Sequence, residues 1–158
     1  MDGKELVTAW VELTPSTPES GCMKMLPGSH LEGKNSHHDT YGKDNILHRG
    51  QELEIEVDED KAASIGIQPG EASLHHGWVA HTLHPNKSDD RRIGLSLQYL
   101  TPRMKQKKTE SESALLVRGQ DRFNYFLPEP VYTNDFDPAM IAFQAKSEML
   151  KHELYDTD

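Results

Sequence analysis

An alternating run of residues from Arg92 to Leu100 constrains the fold of this 158-residue chain more than any other stretch. Side chains of a β-strand point alternately to opposite faces. One face of this run is apolar and carries Ile93, Leu95, Leu97 and Tyr99. The other face is small and polar, and an arginine begins it. Such a strand suits a β-barrel whose exterior packs on the rest of the protein and whose polar interior holds a ligand. A guanidinium in that interior is shaped for a bidentate carboxylate.

Four histidines precede this strand. The tight-turn pair Pro69-Gly70 begins the segment, a short strand pattern follows it, and a polar turn from Asn86 to Asp90 separates the histidines from Arg92. Imidazole is a common ligand of transition metals. The residue pattern alone does not choose among the four candidate ligands, which are His75, His76, His81 and His84.

Further strand patterns make the chain mainly β. They cover Leu6–Leu13, Cys22–Leu26, Glu52–Val57 and Ala63–Gln68. In the first of these strands, alternation puts Trp10 on the face of the polar residues. A helix is predicted over 138–154, because Asp137 can cap its start and Pro138 suits its first turn. Residues 31–50 lack periodicity and are expected to form a connecting loop. We expect one domain over residues 1–158.

Composition excludes several classes of protein. The formal net charge is −9, whereas proteins that bind nucleic acid need Lys and Arg in excess. Apolar runs do not approach the length of a membrane-spanning helix, and the N-terminus lacks the apolar core of a signal peptide. The single cysteine, Cys22, fits a reducing compartment and is expected to be a small buried apolar residue. We therefore expect a soluble cytoplasmic protein that binds neither nucleic acid nor membrane.

The order of turn, strand, His81, polar loop and Arg92 resembles the distal half of the site in iron(II)- and 2-oxoglutarate-dependent oxygenases. More narrowly, it resembles the phytanoyl-CoA dioxygenase family. The resemblance extends upstream through TAWVELTPSTPESGCMKMLPGSH and, more weakly, towards the C-terminus. It implies a double-stranded β-helix, or jelly roll, of cupin-like type. It also implies that His81 is the last ligand of a two-histidine, one-carboxylate iron site, that Arg92 binds the distal carboxylate of 2-oxoglutarate, and that Trp10 lies beside this cosubstrate.

The first metal-binding pair of that family, His-x-Asp, stands shortly before the segment matching Trp10. In this sequence that position precedes Met1. The resemblance therefore implies a partial jelly roll, the C-terminal portion of such an oxygenase. His37 and Asp39 form a literal His-x-Asp and are an alternative source of the missing ligands, although the family aligns this segment with a connecting loop.

The resemblance implies an iron(II)- and 2-oxoglutarate-dependent dioxygenase that hydroxylates a small organic or lipid-derived substrate. The alternative is a catalytically incompetent or truncated barrel that acts as a binding or structural module. A third hypothesis is a cupin-like metal protein assembled from the histidines, but the spacing to Arg92 favours the oxygenase. Apolar surface left uncovered in a partial barrel makes a homo-oligomer possible.

Overall fold

The computed structural model describes residues 5–40, 51–53, 57–105 and 112–155. These residues are mainly β-strand with one α-helix near the C-terminus, which confirms the predicted fold class. The strands are β1 (Leu6–Glu12), β2 (Met23–Met25), β3 (His37–Asp39), β4 (Gln51–Leu53), β5 (Ala63–Ile65), β6 (Ala72–His76), β7 (His81–Leu83), β8 (Gly94–Leu100), β9 (Ser113–Ala114) and β10 (Leu127–Pro128), and the helix is α1 (Pro138–Tyr155). The described residues up to Tyr99 form one compact unit, and those from Leu100 onward form a second.

Two three-stranded sheets organise the first unit. One has the order β6-β1-β8 and the other β5-β2-β7. Strands β1 and β6 are antiparallel, as are β2 and both of its neighbours. The chain therefore passes repeatedly from one sheet to the other, and β6 and β7 lie in different sheets although only four residues separate them. Because of this alternation, residues that are close together in sequence lie in different sheets.

The buried apolar residues of the first unit concentrate at β2 and the cysteine that precedes it. Cys22, Met23 and Met25 are all buried, together with Ala9 of β1 and Ala80 before β7. Cys22 is a free thiol with 2% of its surface exposed, as the sequence predicted. Since β2 is the middle strand of its sheet, its short MKM segment forms the centre of this small core.

Strand β5 ends at Ile65 rather than at Gln68, and the other main differences from prediction concern β4, β3 and β8. Strand β4 covers Gln51–Leu53, residues 54–56 lie outside the described part of the chain, and Val57 is exposed rather than buried. Strand β3 falls within the predicted loop, because His37–Asp39 pairs antiparallel with β4. Pairing with a distant segment leaves no trace in local periodicity. The apolar face of β8 was expected to be covered, yet Leu95, Leu97 and Tyr99 are exposed.

The second unit contains α1 and a short parallel pair of strands, β9 and β10. Asp137 caps α1 as predicted, because its Oδ1 accepts a hydrogen bond of 2.8 Å from the backbone N–H of Ala139. The hydroxyls of Ser113 in β9 and Ser147 in α1 are 3.0 Å apart, which joins the helix to the strand pair. Within the described residues, α1 is the only α-helix, and it lacks the apolar length that crossing a bilayer requires.

Candidate active site

One face of the β6-β1-β8 sheet is polar and partly buried. The register pairs Thr8 with His75 and Trp10 with Ser73, so the side chains of all four lie on this face, followed by Glu12. Three polar atoms of the face are buried without a hydrogen-bond partner within the described residues: Glu12 Oε2, Ser73 Oγ and His75 Nδ1. Buried polar atoms are nearly always paired in native proteins. Their convergence on one face is what a site for a polar ligand requires.

Trp10, Glu12 and Arg92 form a compact cluster on this face. The indole Nε1 of Trp10 donates a hydrogen bond of 2.7 Å to Glu12 Oε1. The same oxygen lies 3.4 Å from Nη1 of Arg92, and the guanidinium carbon is 5.5 Å from the centre of the indole ring. The side chain of Arg92 is 13% exposed and that of Glu12 only 1%. The structure therefore brings together the two predicted cosubstrate residues and adds a buried carboxylate between them.

Backbone contacts explain why Arg92 reaches this cluster. The N–H of Leu13 donates to the carbonyl of Ile93 at 2.9 Å, and the N–H of Ile93 donates to Oγ1 of Thr14 at 2.7 Å. These two bonds hold the start of β8 against the end of β1. Because Arg92 immediately precedes Ile93, its side chain is delivered beside Glu12.

Glu12 is a site residue that sequence reasoning missed. Its backbone N–H donates to the carbonyl of Glu71, and its own carbonyl accepts from the N–H of Gly70. The turn at Pro69-Gly70 thus holds the residue in place. Alternation along β1 already put Glu12 on the face of Trp10, and this was the available signal. Its burial depends on segments distant in sequence, which no local pattern shows.

His81 begins β7 in the other sheet and approaches this polar face through His75. The centres of the two imidazole rings are 5.7 Å apart. Nδ1 of His81 lies 2.9 Å from the carbonyl oxygen of Val79. Since a carbonyl only accepts, this contact favours the tautomer with the proton on Nδ1 and leaves the Nε2 lone pair for a metal. Burial, and to a lesser extent the charge of His81, lowers the pKa of His75 below its ordinary value. A neutral His75 is therefore favoured near pH 7.

The turn Pro27-Gly28-Ser29-His30 supports the start of β7. Ser29 is buried, and its hydroxyl donates to the carbonyl of Leu26 at 2.8 Å. The same hydroxyl accepts a bond of 2.8 Å from the N–H of Ala80, the residue before His81. The ring of His30 also packs against that of His76, with 5.2 Å between their centres. The conspicuous turn in the sequence therefore fixes the backbone that carries His81.

The described residues fit an iron site only in part. His81 has the geometry of a single ligand, but the described side chains include no group of three His, Cys, Asp or Glu residues that could hold a metal ion. His37 and Asp39 lie in β3, and their side chains fall outside what the structure describes. The metal role of His81, the alternative ligands at His37 and Asp39, and the cosubstrate roles of Arg92 and Trp10 stay predictions.

Comparison with known proteins identifies relatives of this chain. A sequence model of the family described as Phytanoyl-CoA dioxygenase (PhyH) matches residues 2–94. A protein of Caenorhabditis elegans named "Phytanoyl-CoA dioxygenase domain-containing protein 1 homolog" is 28% identical over 131 residues. This match covers 78% of the chain and 42% of the nematode protein. The chain therefore spans less than half the length of this curated relative.

Two solved structures are similar to the chain. The apo form of the non-heme monooxygenase ThoJ is 33% identical, has a TM-score of 0.80, and is matched over 94% of this chain and 52% of its own. EvdO2 from Micromonospora carbonacea var. aurantiaca, complexed with 2-oxoglutarate, is 32% identical with a TM-score of 0.52. That match covers 60% of this chain and 37% of EvdO2. These likenesses confirm the expected partial jelly roll.

Proposed function

The chain belongs to the phytanoyl-CoA dioxygenase family. From this premise we propose that it functions as an iron(II)- and 2-oxoglutarate-dependent oxygenase. Its described residues would form the part of the site that anchors the cosubstrate. The proposed reaction is hydroxylation of a small organic or lipid-derived substrate. Support for an oxygenase comes from the family match and from the likeness to the monooxygenase ThoJ.

The observation that carries the proposal is the environment of Arg92. Its guanidinium is largely shielded from water and packed against the Trp10 ring, and Glu12 at 3.4 Å is its one polar partner within the described residues. A guanidinium has five N–H donors, so most of them remain for a ligand. A shielded guanidinium with unused donors is suited to a carboxylate, because the low local dielectric strengthens the pair.

The proposed roles follow from these contacts. Arg92 would bind and orient the distal carboxylate of 2-oxoglutarate, while the indole of Trp10 holds the guanidinium and excludes water on one side. Ser73 Oγ and His75 Nδ1 are available to bond other polar atoms of a ligand. His81 would donate one imidazole nitrogen to the metal, and the iron, when bound, would supply the activation of dioxygen.

Anaerobic titration of the full chain with iron(II) and 2-oxoglutarate tests this proposal. We expect the weak visible charge-transfer band of such complexes in the wild type and its loss in His81→Ala. Arg92→Ala should weaken 2-oxoglutarate binding by about 10- to 100-fold, since a charged hydrogen bond contributes roughly 1.5–3 kcal/mol. His84→Ala and Arg91→Ala are matched controls, because both residues are exposed neighbours of the same chemical type.

The outcomes of this titration separate the two function classes. A band that persists in His81→Ala, or that never forms in the wild type, would contradict the oxygenase proposal for this chain. Binding of 2-oxoglutarate that depends on Arg92 but produces no iron-dependent band would favour the non-catalytic binding module instead. Exchanging His37 and Asp39 for Ala in the same assay examines the alternative metal pair.

The proposal extends to cellular location and assembly. The single cysteine is a buried free thiol, which fits a reducing compartment such as the cytoplasm. The exposed apolar residues of β8 are consistent with a homo-oligomer. Fractionation of cells that express the natural protein and light scattering of the purified chain examine these two points.

A further inference from the structure

Glu12 is the one acidic side chain that makes a hydrogen bond or ion pair with Trp10 or Arg92 within the described residues, and the family resemblance assigned it no role. It is 1% exposed, and its Oε1 accepts from Trp10 Nε1 at 2.7 Å while lying 3.4 Å from Arg92 Nη1. Its Oε2 is buried and has no hydrogen-bond partner in the described part of the chain. Buried polar atoms are rarely left unpaired, so the unused oxygen of Glu12 calls for an explanation.

The short bond to Trp10 indicates that Glu12 is anchored independently of Arg92. At 2.7 Å the indole bond is strong, whereas 3.4 Å to the guanidinium is at the long limit of a hydrogen bond. The backbone of Glu12 is also held on both sides, by Glu71 and by Gly70. An incoming carboxylate would therefore meet Glu12 in place and would have to share Arg92 with it.

Sharing one guanidinium between two carboxylates weakens the binding of the second. Before a ligand arrives, Glu12 and Arg92 together are neutral, and a bound carboxylate would bring the cluster to a net charge of −1. The burial of the cluster limits screening by water, so the repulsion between the two carboxylates is felt strongly. A simple monocarboxylate has nothing to offset this repulsion. A ligand held at its other end by further contacts can still bind.

We propose that Glu12 lowers the affinity of the Arg92 pocket for every carboxylate by about the same factor, so that a carboxylate bound through Arg92 alone is too weakly held to occupy it. This inference rests on the proposed function, because it concerns the same carboxylate pocket. A ligand with two anchoring ends, such as a 2-oxo dicarboxylate, then keeps enough affinity to bind, whereas abundant small monocarboxylates do not.

Binding of 2-oxoglutarate and of propionate to the full chain, measured by calorimetry, tests the inference. Glu12→Gln keeps the size of the side chain and an oxygen for the indole N–H but removes the charge. We expect it to bind both ligands about tenfold more tightly than the wild type, a change of roughly 1.4 kcal/mol. Combining Glu12→Gln with Arg92→Ala should abolish this increase in affinity. The control is Glu19→Gln, the same change of charge at an exposed residue, which should leave both affinities unaltered.

A second neutral variant and a spectroscopic probe of Trp10 distinguish the loss of charge from misfolding. Glu12→Met also removes the charge, and either variant suffices once its thermal unfolding shows that it is folded. The indole N–H resonance of Trp10, assigned with Trp10→Phe, should shift in Glu12→Met because its acceptor is lost. A merely structural role for Glu12 would not produce tighter, Arg92-dependent binding.

The outcomes distinguish this inference from the proposed function. Unchanged or weaker binding in folded neutral variants, including no binding in any variant, overturns the inference. Wild-type binding that depends on Arg92 but is unaltered in Glu12→Gln overturns the inference and leaves the proposed function standing. Binding that appears only in the neutral variants supports the inference and counts against cosubstrate binding by the wild-type chain.

Discussion

Gly94 of β8 lies directly against the indole ring of Trp10 on β1. A Cβ atom built at position 94 would be 2.7 Å from Nε1 and closer still to two carbons of the ring. Real Cβ atoms do not approach other atoms so closely, so the indole occupies space that only glycine leaves open. Because the same Nε1 donates to Glu12, the absence of a side chain at Gly94 helps to set the geometry of the whole cluster.

Gly94→Ala is therefore expected to displace the Trp10 indole. Overpacking of this kind lowers the free energy of unfolding by about 1–3 kcal/mol. Urea unfolding followed by tryptophan fluorescence measures the change, since both tryptophans, Trp10 and Trp78, lie in the first unit. Ser96→Ala, an exposed position on the same strand, is the control and should change stability by less than about 0.5 kcal/mol. Equal stability of the two variants would contradict the close contact.

Ser29→Ala removes the hydroxyl that joins the Pro-Gly-Ser-His turn to the residue before His81. The buried N–H of Ala80 would lose its acceptor, and leaving a buried donor unpaired costs about 1–3 kcal/mol. We expect lower stability in urea unfolding and a weaker iron-dependent band, because the backbone carrying His81 would shift. The exposed Ser36 provides the control substitution to alanine. A stable Ser29→Ala protein with unaltered hydrogen exchange at Ala80 would refute this linkage.

Arg92→Met leaves the buried carboxylate of Glu12 without its positive neighbour. Removing one partner of a buried ion pair costs roughly 3–5 kcal/mol, whereas replacing both partners by apolar residues is often neutral. The double variant Glu12→Met with Arg92→Met should therefore recover most of the stability that Arg92→Met loses. Chemical denaturation of the four proteins in this cycle measures the coupling, with the exposed Arg91→Met as control. Strictly additive losses would show that the 3.4 Å contact contributes nothing.

Asp137→Ala removes the N-terminal cap of α1. The carboxylate accepts a hydrogen bond from the N–H of Ala139, and losing such a cap costs about 0.5–2 kcal/mol. The helical circular dichroism signal at 222 nm should melt at a lower temperature, while tryptophan fluorescence, which reports on the first unit, should change little. The exposed Asp135→Ala is the matched control. A cap of no importance would give the two variants the same helix melting temperature.

Local sequence determined the elements that carry the site. Period-two alternation predicted the strands around Trp10 and after Arg92, and Asp137-Pro138 predicted the start of α1, because side-chain direction and helix capping are local properties. The order of His81, polar loop and Arg92 indicated the family. These inferences required no knowledge of which strands pair.

Only the tertiary structure decided what surrounds those residues. The pairing of β1 with β6 and β8 buries Glu12 and puts it between Trp10 and Arg92, and the turn at Ser29 supports β7 from a segment 51 residues away. The pairing of β3 with β4 likewise overrode the prediction of a loop. Burial and strand pairing depend on contacts between residues that are far apart in sequence. The neighbours of a residue along the chain therefore do not reveal them. For this reason the alternation placed Glu12 on the correct face, but its buried carboxylate became evident only in the folded chain.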